Sequence, residues 1–143
     1  MPAAPAVAVA LTFVWLGMVL AISFLEAPLK FRAPDVTIRI GLGIGRLVFT
    51  ALNAVETVLA AGLVVTAVIV APPTTAAVAG AVAVAVLLIQ LAAVRPRLTR
   101  RSNAVLAGAG SDAPRSHAHL VYVAFEIVKV AALVVAGVAL LAG

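Results

Sequence analysis

Residues 119–141 read HLVYVAFEIVKVAALVVAGVALL, and this stretch decides the fold. It is long enough to cross a bilayer as a helix, since about 20 apolar residues span the hydrocarbon core. Its first half nevertheless contains Glu126 and Lys129. A charged side chain in hydrocarbon costs on the order of 3 kcal/mol or more unless it is paired, protonated or hydrated. The stretch therefore predicts a membrane helix that turns these two side chains toward other helices.

The whole chain has the composition of an integral membrane protein. Of its 143 residues, 65% are hydrophobic and 10% are charged, which leaves too little polar surface for a soluble globule. We predict an all-α integral membrane protein, a four-transmembrane-helix bundle that forms one domain over residues 1–143. The predicted spans are about 6–25, 46–70, 76–94 and 119–141. A cleaved signal peptide is disfavoured, because no basic residue precedes the first apolar run.

The basic residues predict the orientation. Nine of the ten Lys and Arg residues fall within residues 30–46 and 95–115, whereas the turn at Pro72 and both tails carry no charged side chain. Cytoplasmic loops keep Lys and Arg, so we expect a multi-pass protein of the plasma (inner) membrane with both termini outside and loops one and three in the cytoplasm. The lipid bilayer is the expected partner, and nucleic acid is not expected to bind. Contacts with anionic lipid headgroups are predicted for Lys30, Arg32, Arg95, Arg97, Arg100 and Arg101.

Loop one has more pattern than a linker. Polar and apolar residues alternate around residues 29–32 and 36–40, so we expect the loop to lie along the headgroup region. Pro34 and Asp35 favour a turn or a helix start, and Gly41, Gly43 and Gly45 predict a bend before span two. Loop three, rich in Gly and Ser, is predicted to be a mobile connection.

Polar residues inside the spans gather on two helix faces. Those of span two are seven and three residues apart, and those of span four are three, four and three apart, so each set shares one face. We predict that these seven residues line an intramembrane polar pocket open to the cytoplasm: Arg46, Asn53, Glu56, His119, Tyr122, Glu126 and Lys129. Ser23, Glu26 and Gln90 are expected at the mouth of the pocket.

The two polar faces also match each other. Laying residues 46–49 on residues 119–122 aligns Asn53 with Glu126 and Glu56 with Lys129. The match suggests two parallel helical hairpins related by an axis along the membrane normal. It places Glu56 and Lys129 at equal depth and predicts an ion pair between them. Asn53 and Arg46 would then be the polar partners of Glu126. An alternative interpretation is that the polar residues only fix which helices pack together.

Other kinds of site have weaker support in the sequence. His117 and His119 point to different faces of a helix, and a metal site from His119, Glu126 and Glu56 lacks a second histidine, so no metal site is predicted. No catalytic residue and no cofactor are identified, and an enzyme is disfavoured. A lipid or quinone enzyme with Glu126 as base remains a minor alternative. Phe13 and Trp15 are expected to contact lipid or neighbouring helices.

Three segments carry a resemblance to a known group. They are residues 26–34 (EAPLKFRAP), Gly45-Arg46 with Phe49 and Glu56, and the HLVYV of residues 119–123 followed by Glu126 and Lys129. With these segments the chain resembles a group of small, uncharacterised four-span bacterial inner-membrane proteins. The resemblance covers nearly the whole chain and implies that loop one and the polar face form one functional unit. It implies no reaction.

Two classes of function therefore remain open. The first is transport or binding of a small solute or ion, for which a homodimer would be favoured because four short helices enclose little volume. The second is a non-catalytic accessory subunit of a larger membrane complex, with Ala- and Gly-rich faces that pack against a partner.

Overall fold

The structure is a bundle of four membrane-length helices. The computed structural model describes residues 1–94, 96, 100, 103–104 and 117–143, without the side chains of residues 94 and 117–119. The described residues form helices and no strand. Four helices are long and apolar enough to cross a membrane, which confirms the predicted fold class. They are α1 (Ala3–Lys30), α2 (Ile38–Ile69), α3 (Thr74–Ala93) and α4 (His117–Ala142).

Helix α2 begins well before the predicted start near Arg46. Thr37 caps it, since its Oγ1 accepts a hydrogen bond of 3.2 Å from the backbone N–H of Ile40. The expected turn at Pro34 and Asp35 is present, and Asp35 adopts the left-handed conformation with φ 65°. The expected bend before span two was wrong, because the glycines that suggested it lie within the helix.

Two of these glycines allow loop one to pack closely on α2. A Cβ atom at Gly41 would overlap the ring of Phe31, and one at Gly45 would lie 2.7 Å from Nζ of Lys30. A Cβ at Gly43 would meet no atom within 4 Å. Gly41 and Gly45 therefore provide close approach at the end of the bundle where α1 ends and α2 begins, which we call the basic end.

Both α1 and α3 change from α-helix to π-helix near their ends. The π-helical segments are Leu20–Glu26 and Gln90–Val94, and each ends two residues before a proline, Pro28 or Pro96. Proline lacks an N–H and its ring displaces the carbonyl four residues earlier, so a wider turn relieves the clash. These wider turns set the direction of Ser23 and Gln90, which both face the polar centre of the bundle.

The apolar core draws on all four helices. Helix α1 packs against α2 and α3 against α4, as two hairpins would, and α1 also packs against α4. The suggested two-fold axis would make the α2–α3 contact equal to the α1–α4 contact. Helices α2 and α3 touch much less than α1 and α4, so the packing does not follow that symmetry. Alanines from three helices let the backbones approach closely. The core residues are Trp15, Leu16, Val19, Leu59, Ala60, Ala83, Leu87, Ala132 and Leu133.

Candidate ion-binding cluster

The centre of the site is an ammonium group between two carboxylates. Nζ of Lys129 lies 2.6 Å from Oε2 of Glu56 and 2.6 Å from Oε1 of Glu126. Glu56 and Lys129 are 0% exposed and Glu126 is 1% exposed. The predicted ion pair between Glu56 and Lys129 is therefore present. Glu126, one helical turn before Lys129, shares the same ammonium, which the sequence had not suggested.

Gln90 lies at the centre of the cluster and not at its mouth. Its Nε2 donates a hydrogen bond of 2.8 Å to Oε1 of Glu126, and its Oε1 accepts one of 2.8 Å from Nζ of Lys129. The side chain is 1% exposed. The prediction placed it at the mouth from its position near the end of the span. Its amide can donate to the carboxylate and accept from the ammonium at once, which favours the buried position.

Two donors from α1 complete the cluster. Oγ of Ser23 donates to Oε2 of Glu126 at 2.5 Å, and Nε1 of Trp15 donates to Oε2 of Glu56 at 2.7 Å. Trp15 is 0% exposed and contacts neighbouring helices, one of the two predicted environments. Its role as a hydrogen-bond donor was missed, because a hydropathy pattern counts tryptophan as apolar. The indole N–H usually finds a partner when it is buried, and that rule was the available signal.

Arg46 and Asn53 do not serve Glu126, contrary to the prediction. Arg46 is exposed, and its Nη1 donates to Oδ1 of Asn103 at 2.5 Å. Asn53 is buried on α2, where its backbone carbonyl accepts a hydrogen bond from Thr57. The donors from α1, α3 and α4 already surround both oxygens of Glu126.

Tyr122 and Lys30 lie between the cluster and the basic end. Tyr122 is buried, and its ring meets Phe49 edge to face at 5.8 Å and 87°. The Lys30 side chain is only 10% exposed, with Nζ 3.7 Å from Oε2 of Glu26 and 5.7 Å from the centre of the Phe49 ring. Lys30 thus turns toward Glu26 and Phe49, and its predicted headgroup contact stays a prediction. Glu26 lies four residues before Lys30 on α1, so the carboxylate and the ring of Phe49 can both attract the Lys30 ammonium.

Several predicted site residues fall elsewhere. Arg32 and Arg100 are exposed, so their predicted lipid contacts stay predictions. The side chains of His117 and His119, together with Arg95, Arg97, Arg101 and most of loop three, lie outside the described residues. The same holds for any metal site that uses His119. Within the described part of the chain, no group of three His, Cys, Asp or Glu residues is placed to hold a metal ion.

The cluster carries more acid than base. Two carboxylates share one ammonium, and the remaining direct partners, Trp15, Ser23 and Gln90, are neutral. Oε1 of Glu56 is buried and has no hydrogen-bond partner. With both carboxylates ionised the cluster would hold a net negative charge in a bundle core, which is strongly unfavourable. The arrangement therefore suits the binding of one additional positive charge.

The cluster is closed and does not form the open pocket that we expected. Glu56, Gln90, Glu126 and Lys129 are at most 1% exposed, and Tyr122 is 5% exposed. The indole of Trp15 and the leucine and alanine core cover the side away from the basic end. An enzyme with Glu126 as its base would need an opening for a substrate, and the buried carboxylate does not provide one in this conformation.

The four helices and the central cluster define a small multi-pass membrane protein with a buried ion-paired centre. Comparison with protein-family models, with curated proteins and with solved structures finds no match to the chain.

Proposed function

We propose that the protein binds and transports a small ion through its buried carboxylates. The observation that carries this proposal is the unbalanced cluster, in which one lysine serves both Glu56 and Glu126 while Oε1 of Glu56 has no partner. Intramembrane ionisable residues commonly mark ion pathways, because a protein that needed only packing could use apolar side chains instead.

The distribution of charge supports access from the basic end, which we assign to the cytoplasm. Glu26 and Lys30 lead from that end toward Ser23 and Glu126. Residues 57–89 and 130–143, which build much of the opposite end, contain no Asp, Glu, Lys, Arg or His. A continuous aqueous pore through one copy is disfavoured by this apolar half. Transport would therefore use a rearrangement of the helices or an interface between two copies.

Ion flux in proteoliposomes tests the proposal. The wild-type protein should carry a flux of protons or of a monovalent cation, and Glu56→Gln and Glu126→Gln should each abolish it. Thr57→Ala is the matched control, because the Thr57 hydroxyl donates to the backbone of its own helix and does not touch the cluster. Absence of flux in the folded wild-type protein would overturn the proposal.

An accessory role in a larger membrane complex is the second candidate. It is favoured by the closure of the cluster, which joins residues of all four helices and so can set their packing. If this role is correct, the wild-type protein carries no flux. Replacement of Glu56 and Lys129 by methionine together with Glu126→Gln would then preserve the helical fold, because neutral residues can replace a buried ion-paired group.

A further inference from the structure

The excess negative charge of the cluster is better matched by a proton than by a metal cation. The space between the two carboxylates is already filled by the ammonium of Lys129, at 2.6 Å from each. Glu56 Oε1 has no hydrogen-bond partner, and no third acidic or histidine side chain is placed to form a metal site among the described residues. A metal ion needs several oxygen ligands, whereas a proton needs one lone pair.

Among the described residues, polar side chains of α1 extend from the cluster toward the basic end. Ser23 donates to Oε2 of Glu126, and Glu26 follows Ser23 in the same π-helical segment. The Glu26 side chain is 34% exposed, so it can meet water, while its Oε2 is buried without a hydrogen bond. On the side away from the basic end, the Thr12 hydroxyl donates a hydrogen bond to the backbone carbonyl of Ala8 and does not extend the route.

The charged and titratable groups around this route are few among the described residues. Helix α1 contributes Glu26 and Lys30, which face each other at 3.7 Å. Helix α4 contributes Tyr122, Glu126 and Lys129, and α3 contributes only the neutral Gln90. On α2, Glu56 faces the cluster, whereas the exposed Arg46 binds Asn103.

We propose that the Glu56–Lys129–Glu126 cluster takes up one proton from the basic end, and that Glu26 and Ser23 relay it. The inference rests on the proposed function and names its ion. Ser23 passes its hydroxyl proton to Glu126 and receives one from Glu26 through an intervening water molecule. Lys129 passes one of its protons to Glu56 and receives one from Glu126. Each transfer forms one bond to hydrogen and breaks one, and the net change is one proton taken from a hydronium ion onto a cluster carboxylate.

Infrared difference spectroscopy of the full chain in nanodiscs tests the uptake. Acidification should produce the C=O band of one buried protonated carboxyl group, and Glu56→Gln or Glu126→Gln should remove or shift that band. Trp15 is the only tryptophan, and its bond to Glu56 makes its fluorescence a reporter of the same event. A spectrum without such a band at any pH, from protein shown to be folded by circular dichroism, would overturn the inference.

The relay is tested by rate. After a rapid pH jump followed by Trp15 fluorescence, Ser23→Ala and Glu26→Gln should slow proton uptake on the order of 10-fold to 100-fold, because a positioned proton-transfer group is lost. At a final pH low enough to saturate the site, the extent of uptake should stay the same. Thr57→Ala, which also deletes one hydroxyl, should match the wild type. Equal rates in all four proteins would refute the relay.

Infrared spectroscopy and the proteoliposome flux assay together separate the proton site from transport. Proton uptake without any ion flux in proteoliposomes would support the proton site and refute transport. Flux of a metal cation without a carboxyl band would support transport and refute the proton site.

Discussion

Nε1 of Trp15 donates a 2.7 Å hydrogen bond to Oε2 of Glu56, and the same oxygen lies 2.6 Å from Nζ of Lys129. One carboxylate oxygen thus joins α1, α2 and α4. Because all three side chains are 0% exposed, water cannot replace a partner that is lost. The arrangement links the packing of three helices to the charge state of one glutamate.

Loss of the indole donor should weaken the bundle. Trp15→Phe keeps an aromatic ring but leaves the Glu56 carboxylate with one partner fewer, so we expect a loss of about 1–3 kcal/mol in the free energy of unfolding. Unfolding in mixed micelles with increasing SDS, followed by circular dichroism, measures it. The same substitution in a Glu56→Leu background should have a smaller effect, and an equal effect in both backgrounds would show that only ring volume matters.

Glu56 and Lys129 should be energetically coupled. Lys129→Ala leaves two buried carboxylates without their ammonium, so we expect a loss of about 3–5 kcal/mol. Glu56→Ala leaves Lys129 paired with Glu126 and should cost less. The double variant Glu56→Ala with Lys129→Ala should lose less than the sum, with a coupling of about 0.5–3 kcal/mol. A double-mutant cycle from SDS unfolding curves provides the measurement. Additive losses would rule out a stabilising pair.

Both polar atoms of the Gln90 amide should stabilise the folded protein. Gln90→Leu removes the donor to Glu126 and the acceptor for Lys129, each at 2.8 Å, and substitutes an apolar side chain of similar size. We expect a loss of about 1–3 kcal/mol in the free energy of unfolding. Leu88→Ala, on the exposed side of α3, is the control and should change it little. A Gln90→Leu variant as stable as the wild type would indicate that Glu126 needs no donor from α3.

Two glycines of one helix should respond in opposite directions to alanine. Gly41→Ala must displace the ring of Phe31, so overpacking should destabilise the protein by about 1–3 kcal/mol. Gly43→Ala meets open space and should stabilise the helix by roughly 0.5–1 kcal/mol. Thermal unfolding in detergent compares the two. Similar shifts in both variants would contradict the close packing of loop one on α2.

Membrane orientation can be measured directly, because the chain has no native cysteine. A single cysteine at Thr75, beside the turn between α2 and α3, should react with an impermeant maleimide in intact cells. A cysteine at Arg39, in the first turn of α2, should react only after the cells are opened. The reverse pattern would invert the proposed topology and place the basic end outside.

Composition and hydropathy were sufficient for the four-helix class, and the match between the polar faces of spans two and four was sufficient for the Glu56–Lys129 pair. Hydrophobic length determines how many helices cross a membrane, and a buried lysine must find an acid at its own depth. The capped start of α2 at Ile38 was missed, because glycines suggest a bend wherever the packing that needs them is unknown.

Only the tertiary structure decided which neutral groups complete the cluster. Trp15, Ser23 and Gln90 reach the carboxylates because of helix packing and because two π-helical turns redirect α1 and α3. Tertiary packing also turned Lys30 toward Phe49 and left Arg46 at the surface. Hydropathy and spacing describe one helix at a time. The partner of a buried polar atom, in contrast, depends on how several helices meet.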